Sequence, residues 1–412
     1  MEVHDIKKPF VLLLATVDTK GAGVLYLRER LRDLGAAPLV MDLSMRYGDS
    51  ALVPDIPSAE VAQAGGSTLE VVAGSRDMTS NMEIMVTGAS AIASRLAGEG
   101  RVQGVIGLGG CTGALMITSV MQGLPFGLPK VMVSPAAAQP GLSHHFLKTS
   151  DIMLFHSVIE ISGLSDPVRN VLDRAACALF AMAAGPVVAP VLERQRALAM
   201  TMMSPCERTA QSVQVALGQA GFQVIGFHAN GIGDRAMEEM VGRGAFRGVI
   251  DLAPGAVGEH LFGYMRDAGP LRLESAGKMG IPQIISTCGV NHVTPSKSRT
   301  PPERWLGRKY DLDRFRTWLR MTPDEMRQVS KACAEKLNRS RGPVRVLVPL
   351  KGWSSVDSPG SPTYDPGEDA LFVSRLRSIL KKEIEVVEVD ANMEDPIFAQ
   401  ALVKAALEMF HR

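Results

Sequence analysis

The chain is short of net charge, paired cysteines and aromatic residues, and the first two shortages exclude whole classes of function. Lys plus Arg number 44 against 43 Asp plus Glu. No strong positive field is therefore available to draw nucleic acid or an anionic membrane surface. The five cysteines, Cys111, Cys177, Cys206, Cys288 and Cys333, are odd in number, widely spaced and nowhere arranged as CxxC. That argues against a zinc cluster and for a reducing, cytoplasmic setting. The apolar run FVLLLATV (10–17) ends at Asp18 and is too short to span a bilayer. No small-residue cleavage site follows it, so it does not read as a secretory signal. GxSxG, HExxH and the Walker A pattern GxxxxGK[ST] are all missing. Aromatics make up only 5% of residues while methionines number 22, a composition suited to helix–sheet packing.

At 412 residues there is room for two or three ordinary domains. Apolar runs alternate with longer segments of helical period, the pattern of βα units and a mainly parallel sheet. The first half offers strands at 10–17, 37–43, 104–110, 130–135 and 152–157, with a helix over 168–185. Residues 44–75 are less regular and read as an insertion. The second half offers strands at 197–203, 222–228, 248–254, 282–288, 344–350 and 384–390. GPVVAPVLERQ (185–195), with two prolines, reads as a linker. The expected architecture is α/β: two open, mainly parallel, Rossmann-like doubly wound subdomains, 1–190 and 191–412. RVQGVIGLGGCTGALM (101–116) has a look-alike in AFRGVIDLAPGAVGEHLF (245–262), and GLPKVMVSPAA (127–137) in GIPQIISTCGV (280–290). These pairs are consistent with duplication of one unit, or with chance likeness among βα units.

Open parallel sheets bind ligands beyond the carboxyl ends of their strands, so the strand-end loops carry the candidates. In TVDTKG (16–21), Asp18 or Thr19 would cap the following helix, and Lys20 with free amides suits a phosphate or carboxylate. A capped helix beside a solvated lysine explains the stretch equally well. GLGGCTG (107–113) lets backbone approach a phosphate without Cβ interference at Gly109 and Gly110, with Cys111 and Thr112 opening the helix. Tight strand–helix packing also calls for glycine. No base is identifiable beside the Cys111 thiol. In KTSDI (148–152), Asp151 could hold a magnesium ion that also grips phosphates, or simply cap a turn. The adjacent His144 and His145 read as surface residues. FHANGIGDRAMEEM (227–240) places His228 at a strand end, Gly231 and Gly233 in a turn, and Arg235 in a first helical turn. A cation there suits an anionic partner, or pairs with Glu238 or Glu239. The loop PLKGWSSVDSPGSPTYDP (349–366) is long enough to be a lid or binding loop.

Together TVDTKG, GLGGCTG, TSDI, FHANGIGDRAMEEM, GRGAFRGVIDL, AGPLRLESAGKMGIPQ, EKLNRSRGPVRVLVPLKG and DSPGSPTYDP resemble the Tm-1-like ATP-binding family, also catalogued as UPF0261. The resemblance spans nearly the whole chain. It implies two open α/β subdomains, ATP or a related phosphate ligand, and assembly as a homodimer or higher homo-oligomer; Mg2+ enters through the reading of Asp151. Carried over motif by motif, Asp18, Thr19 and Lys20 match the DTKG block, and Gly109 and Gly110 the glycine loop. Ser150 and Asp151 match the TSD block, and His228, Gly231, Gly233 and Arg235 the histidine-plus-glycine block. Three departures stand out. Cys111 replaces a more usual serine, Asp234 replaces a glycine and would repel a phosphate in that loop, and 309–322 lacks the family's His-Asn-Pro segment.

These readings combine into a cytoplasmic nucleotide- or phosphate-binding enzyme of carboxylate or sugar-acid metabolism, with its site in a cleft between subdomains. Asp18, Thr19, Lys20, Gly109, Gly110, Cys111, Thr112 and Ser150 would bind nucleotide, Asp151 would hold the metal, and His228 and Arg235 would serve a small-molecule substrate. Two alternatives remain: a hydrolase or lyase working without ATP through His228 as acid/base, and a non-catalytic nucleotide-binding module.

Overall fold

The computed structural model describes residues 8–48, 51–185, 196–296 and 303–410. The chain divides into two compact units, 1–190 and 191–412. All of the expected 185–195 linker beyond Gly185 lies outside the described residues.

Unit 1 begins with β1 (Phe10–Ala15), α1 (Val17–Asp33) and β2 (Ala37–Asp42). The stretch expected to be an irregular insertion instead forms α2 (Ser58–Ala64) and α3 (Leu69–Gly74), leading into the long α4 (Met78–Gly98). Then follow β3 (Gly104–Leu108), α5 (Cys111–Gln122), β4 (Lys130–Ser134), α6 (Ser143–Leu147), β5 (Met153–His156) and α7 (Asp166–Ala184). The five strands are all parallel, in the order β2-β1-β3-β4-β5. Every residue of β3 and β4 is buried, because helices cover both faces. On one face Leu12, Val105 and Met132 pack with Met85, Ile117 and Met121; on the other Leu13, Ile106 and Val131 pack with Leu27, Leu172 and Leu179.

Unit 2 opens with β6 (Ala197–Met202), α8 (Glu207–Gln219), β7 (Gln223–His228), α9 (Ile232–Gly242), β8 (Gly248–Asp251) and α10 (Ala256–Phe262). Next come α11 (Ser275–Met279), β9 (Gln283–Ile285), β10 (His292–Val293), β11 (Lys309–Asp311) and β12 (Thr317–Arg320). It ends with α12 (Pro323–Asn338), β13 (Val344–Pro349), α13 (Pro366–Ile379), β14 (Glu385–Val389) and α14 (Pro396–Phe410). Six parallel strands run in the order β14-β13-β9-β8-β6-β7. Both sheets therefore set their first strand between the second and the third, the arrangement a duplicated unit would have and also a common doubly wound order. The antiparallel sheet β10-β12-β11 was not foreseen. Its strands are only two to four residues long and lack a sustained alternation. Among the described residues no helix is long and apolar enough to cross a membrane.

Unit 2 buries charge at its strand ends. Arg272, fully buried, donates from Nε to Asp234 at 2.9 Å, from Nη2 to Asp251 at 2.8 Å and from Nη1 to Glu238 at 3.4 Å. Thr201 of β6 donates to the same Asp251 at 2.6 Å. One guanidinium thus ties β6, β8 and α9 to the segment before α11. We expect Arg272→Met to strand three buried carboxylates and cost about 3–5 kcal/mol, read as a lower urea midpoint; an unchanged midpoint would assign the cluster no structural weight.

Between α11 and α12, Glu274 meets Lys278 at 2.8 Å, Lys336 at 3.0 Å and Arg339 at 2.8 Å. Burial opposes its ionisation, but these hydrogen bonds prevail and bring its pKa down to about 2. A depressed carboxylate pKa stabilises the fold above the unfolded value, and that stabilisation is lost as pH falls toward the folded one. The melting-temperature gap between wild type and Glu274→Gln should accordingly be open at neutral pH and close as pH drops from about 4.5 to about 2.

Candidate functional site

In unit 1 the chain leaves β1 toward β2 on one side and β3 on the other, so the loops after β1 and β3 part and leave a crevice. A cavity of about 430 Å³ occupies it. Thr16, Asp18, Thr19 and Lys20 line one wall, and Gly110, Cys111, Thr112 and Gly113 another. Arg46 comes from the segment after β2, and Ser75 and Asn81 from the end of α3 and the first turn of α4. Met45, Val72, Met78 and Met116 supply an apolar side.

The two helix starts facing this cavity differ. Helix α1 begins at Val17 after Thr16, so Asp18, Thr19 and Lys20 occupy its first turn and neither Asp18 nor Thr19 is the cap that the sequence suggested. Its leading amides are taken: Val17 donates to Asp42 Oδ1 at 3.0 Å and Asp18 to Ser44 Oγ at 3.0 Å. A carboxylate from β2 already fills that anion position. Lys20 is also committed, its Nζ lying 2.8 Å from Glu160 and 2.7 Å from the Ile161 carbonyl.

Among the described residues, helix α5 has no such partner. Its N-cap is Gly110 with extended backbone and no side-chain cap, and the following amides have no side chain to bind. A Cβ added at Gly110 would meet nothing within 4 Å, so the approach is open. Gly107 and Gly109 serve packing instead: a Cβ would come within 2.4 Å of Ile117 at the first and 3.0 Å of Gly113 at the second. Gly109 accordingly stays behind the cavity wall. Exposed Arg46, which has no ion-pair partner among the described residues, adds positive charge. The cavity thus combines unsatisfied amides with the positive end of a helix, one uncommitted cation and a set of hydroxyls.

Ser150 and Asp151 do not join it. They precede β5, at the amino-terminal edge of the sheet, whereas the cavity lies at the carboxyl edge. Asp151 is spent on the fold: Oδ1 meets Lys130 Nζ at 2.6 Å and Oδ2 accepts from the Gly127 amide at 2.7 Å. The carboxylate that does line the cavity is Asp18.

In unit 2 the histidine-plus-glycine loop is satisfied within itself. The Gly231 amide donates to Asp234 at 2.8 Å and the Gly233 amide to Asn230 at 2.9 Å. Asp234 is therefore an internal cap, and Arg272 offsets its charge. Gly231 holds φ +91°, and a Cβ at Gly233 would stand 2.1 Å from the His228 carbonyl, so both glycines answer to packing. His228 is exposed at the end of edge strand β7, and Arg235 sits in the first turn of α9. Glu238 is bound by Arg272 and by the amides of Leu273 and Ser275. Burial, with help from Asp357, lifts Asp369 to about 7 against the pull of Arg320, but Arg320 and Asn291 hold its carboxyl in a structural role.

Arg46, Ser75 and Asn81 escaped sequence reasoning. They come from the stretch taken as an insertion and from the helix after it, far in sequence from both strand-end motifs, and only tertiary folding brings them to the cavity.

Residues 9–187 match the N-terminal domain, and residues 195–410 the C-terminal domain, of uncharacterised protein family UPF0261. A UPF0261 protein of Clostridium tetani is 33% identical over 98% of this chain and 99% of its own length. One from Brucella suis is 30% identical over 98% of this chain and 95% of its own. The ToMV resistance protein Tm-1 of Solanum lycopersicum is 28% identical over 99% of this chain, which covers 57% of that longer protein. By both domains and by full-length relatives, the chain belongs to the UPF0261 family.

Proposed function

We propose that unit 1 binds a nucleotide, ATP in the first instance, with its phosphates on the amides that open α5. What supports this reading above all is the uncapped start of α5 facing a cavity that also contains Arg46. Helix amides and a helix dipole favour phosphate oxygens, and the apolar side formed by Val72, Met78 and Met116 suits a base. Asp18 with the hydroxyls of Thr19 and Thr112 offers hard oxygen donors for magnesium. That ion typically takes one or two carboxylates and relies on phosphates for the rest. Bound there, magnesium would neutralise phosphate charge. The protein's own part is to position the phosphates by backbone and to hold Lys20 against Glu160, ready for exchange toward an anion. The balanced overall charge fits a small-molecule partner rather than a nucleic acid.

Proline is tolerated at the first helical position and removes one N–H there. Position 111 is that position in α5, and Gly110 before it is already extended. Cys111→Pro should leave the melting temperature unchanged and weaken MgATP binding about tenfold or more, the worth of one hydrogen bond to a charged group. Calorimetry with ATP, ADP and AMP, with and without magnesium, reads this directly. Absence of heat with all three nucleotides, or an unaltered affinity in the variant, would remove the phosphate site from α5.

A further inference from the structure

Among the described residues of unit 2, six buried polar atoms after β9 and in the loop after β13 have no hydrogen-bond partner: Ser286 Oγ, Thr287 Oγ1, Asn291 Oδ1, His292 Nε2, Thr294 Oγ1 and Ser354 Oγ. None of these residues is more than 2% exposed. Five lie within nine residues of chain following β9, and the sixth in the loop after β13. Native interiors leave only a few such groups per hundred residues, so a local concentration calls for a reason.

Several of these residues are linked through shared partners. Ser354 bridges to Asp357, and Asp357 Oδ2 accepts from Asn291 Nδ2 at 2.8 Å. His292 follows, and its carbonyl accepts from Arg266 Nη2 at 3.5 Å. Arg266 reaches back to the loop after β9, where a Cβ on Gly289 would stand 3.2 Å from Nη1. In the antiparallel pairing His292 lies opposite Arg320 and Val293 opposite Leu319, a register that the Ser296–Arg316 bridge continues. His292, Thr294, Trp318 and Arg320 therefore share one face of the small sheet. Trp318 of that face packs in the same cluster as Met203, Leu252 and Cys288, at the carboxyl ends of β6, β8 and β9. This is the edge at which open parallel sheets bind ligands.

The donor set defines the chemistry. Asn291 Nδ2 is committed to the carboxylates of Asp357 and Asp369, at 2.8 and 3.1 Å, so its orphaned Oδ1 is an acceptor that needs a donor. The hydroxyls of Ser286, Thr287, Thr294 and Ser354 can all donate. Burial first, then Arg320, Arg266 and Arg308, hold the His292 pKa well below its usual value. The ring is thus neutral, in a field set by guanidinium groups. An occupant must bring negative or acceptor oxygens for the hydroxyls and an O–H for Asn291.

We propose that this locus of unit 2 binds a small hydroxylated carboxylate, a hydroxy acid or sugar acid. It stands on unit 2 alone and holds whether or not α5 binds a nucleotide. The test is calorimetry and thermal shift on the full chain with glycerate and gluconate. Propionate serves as a carboxylate without hydroxyl, glycerol as a polyol without charge, and inorganic phosphate as a plain anion. At least one hydroxy acid should bind saturably, with propionate and glycerol about tenfold or more weaker, because each leaves buried groups unpaired. Thr294→Val and Ser354→Ala, both small changes, should each weaken that binding about tenfold with circular dichroism and MgATP heats as in wild type. Equal binding of glycerol, a preference for phosphate, or unaltered affinity in both variants overturns the assignment. So does the absence of hydroxy-acid binding together with a crystal structure, grown with glycerate, that shows only water on the six atoms.

Discussion

Every residue of β3, β4, β8 and β9 is buried, because helices lie on both faces of each parallel sheet. Strands of this kind offer no polar surface along their length. Polar side chains are pushed to the strand ends and to the edge strands, and β5, β7 and β14 are accordingly part exposed. The carboxyl ends also receive the starts of the returning helices, with their unpaired amides. What this protein can do with polar chemistry is concentrated there by the same constraint that builds its core.

Helices α1, α9 and α5 all start at such an edge, with two different outcomes. At α1 the amides are occupied by Asp42 and Ser44; at α9 by Asp234 and Asn230; at α5 they meet only a cavity. A glycine loop by itself does not distinguish these cases. Gly231 and Gly233 are required by backbone geometry and close packing, whereas Gly110 stands in open space. The discriminating fact is whether a neighbouring carboxylate has already taken the anion's place.

Unit 2 adds a second rule. Where it buries charge it does so in compensated groups: Arg272 with Asp234, Glu238 and Asp251, and Arg320 with Asp357, Glu368 and Asp369. Such groups tolerate no loss of a partner, since the remaining charge has no water to turn to. Beside these satisfied networks, the uncompensated hydroxyls, amide oxygen and imidazole around His292 stand apart.

Much of the scaffold was legible in the sequence. Each parallel strand lies within an expected run, and the central ones read as continuously apolar because they are buried on both faces. The α5 glycine loop and the DTKG stretch were likewise visible as strand-end motifs, and both reach the cavity. The three short antiparallel strands were not, because two to four residues carry no period. Nor was the contribution of Arg46 and Asn81, or the placement of Asp151 at the opposite edge from Gly110. Sequence determines which residues are apolar and where a turn needs glycine, because those are local properties of side chain and backbone. Which amides stay unpaired, which carboxylate is consumed by a lysine and which hydroxyls are sealed from water depend on partners distant in the chain. Only the folded structure settles those.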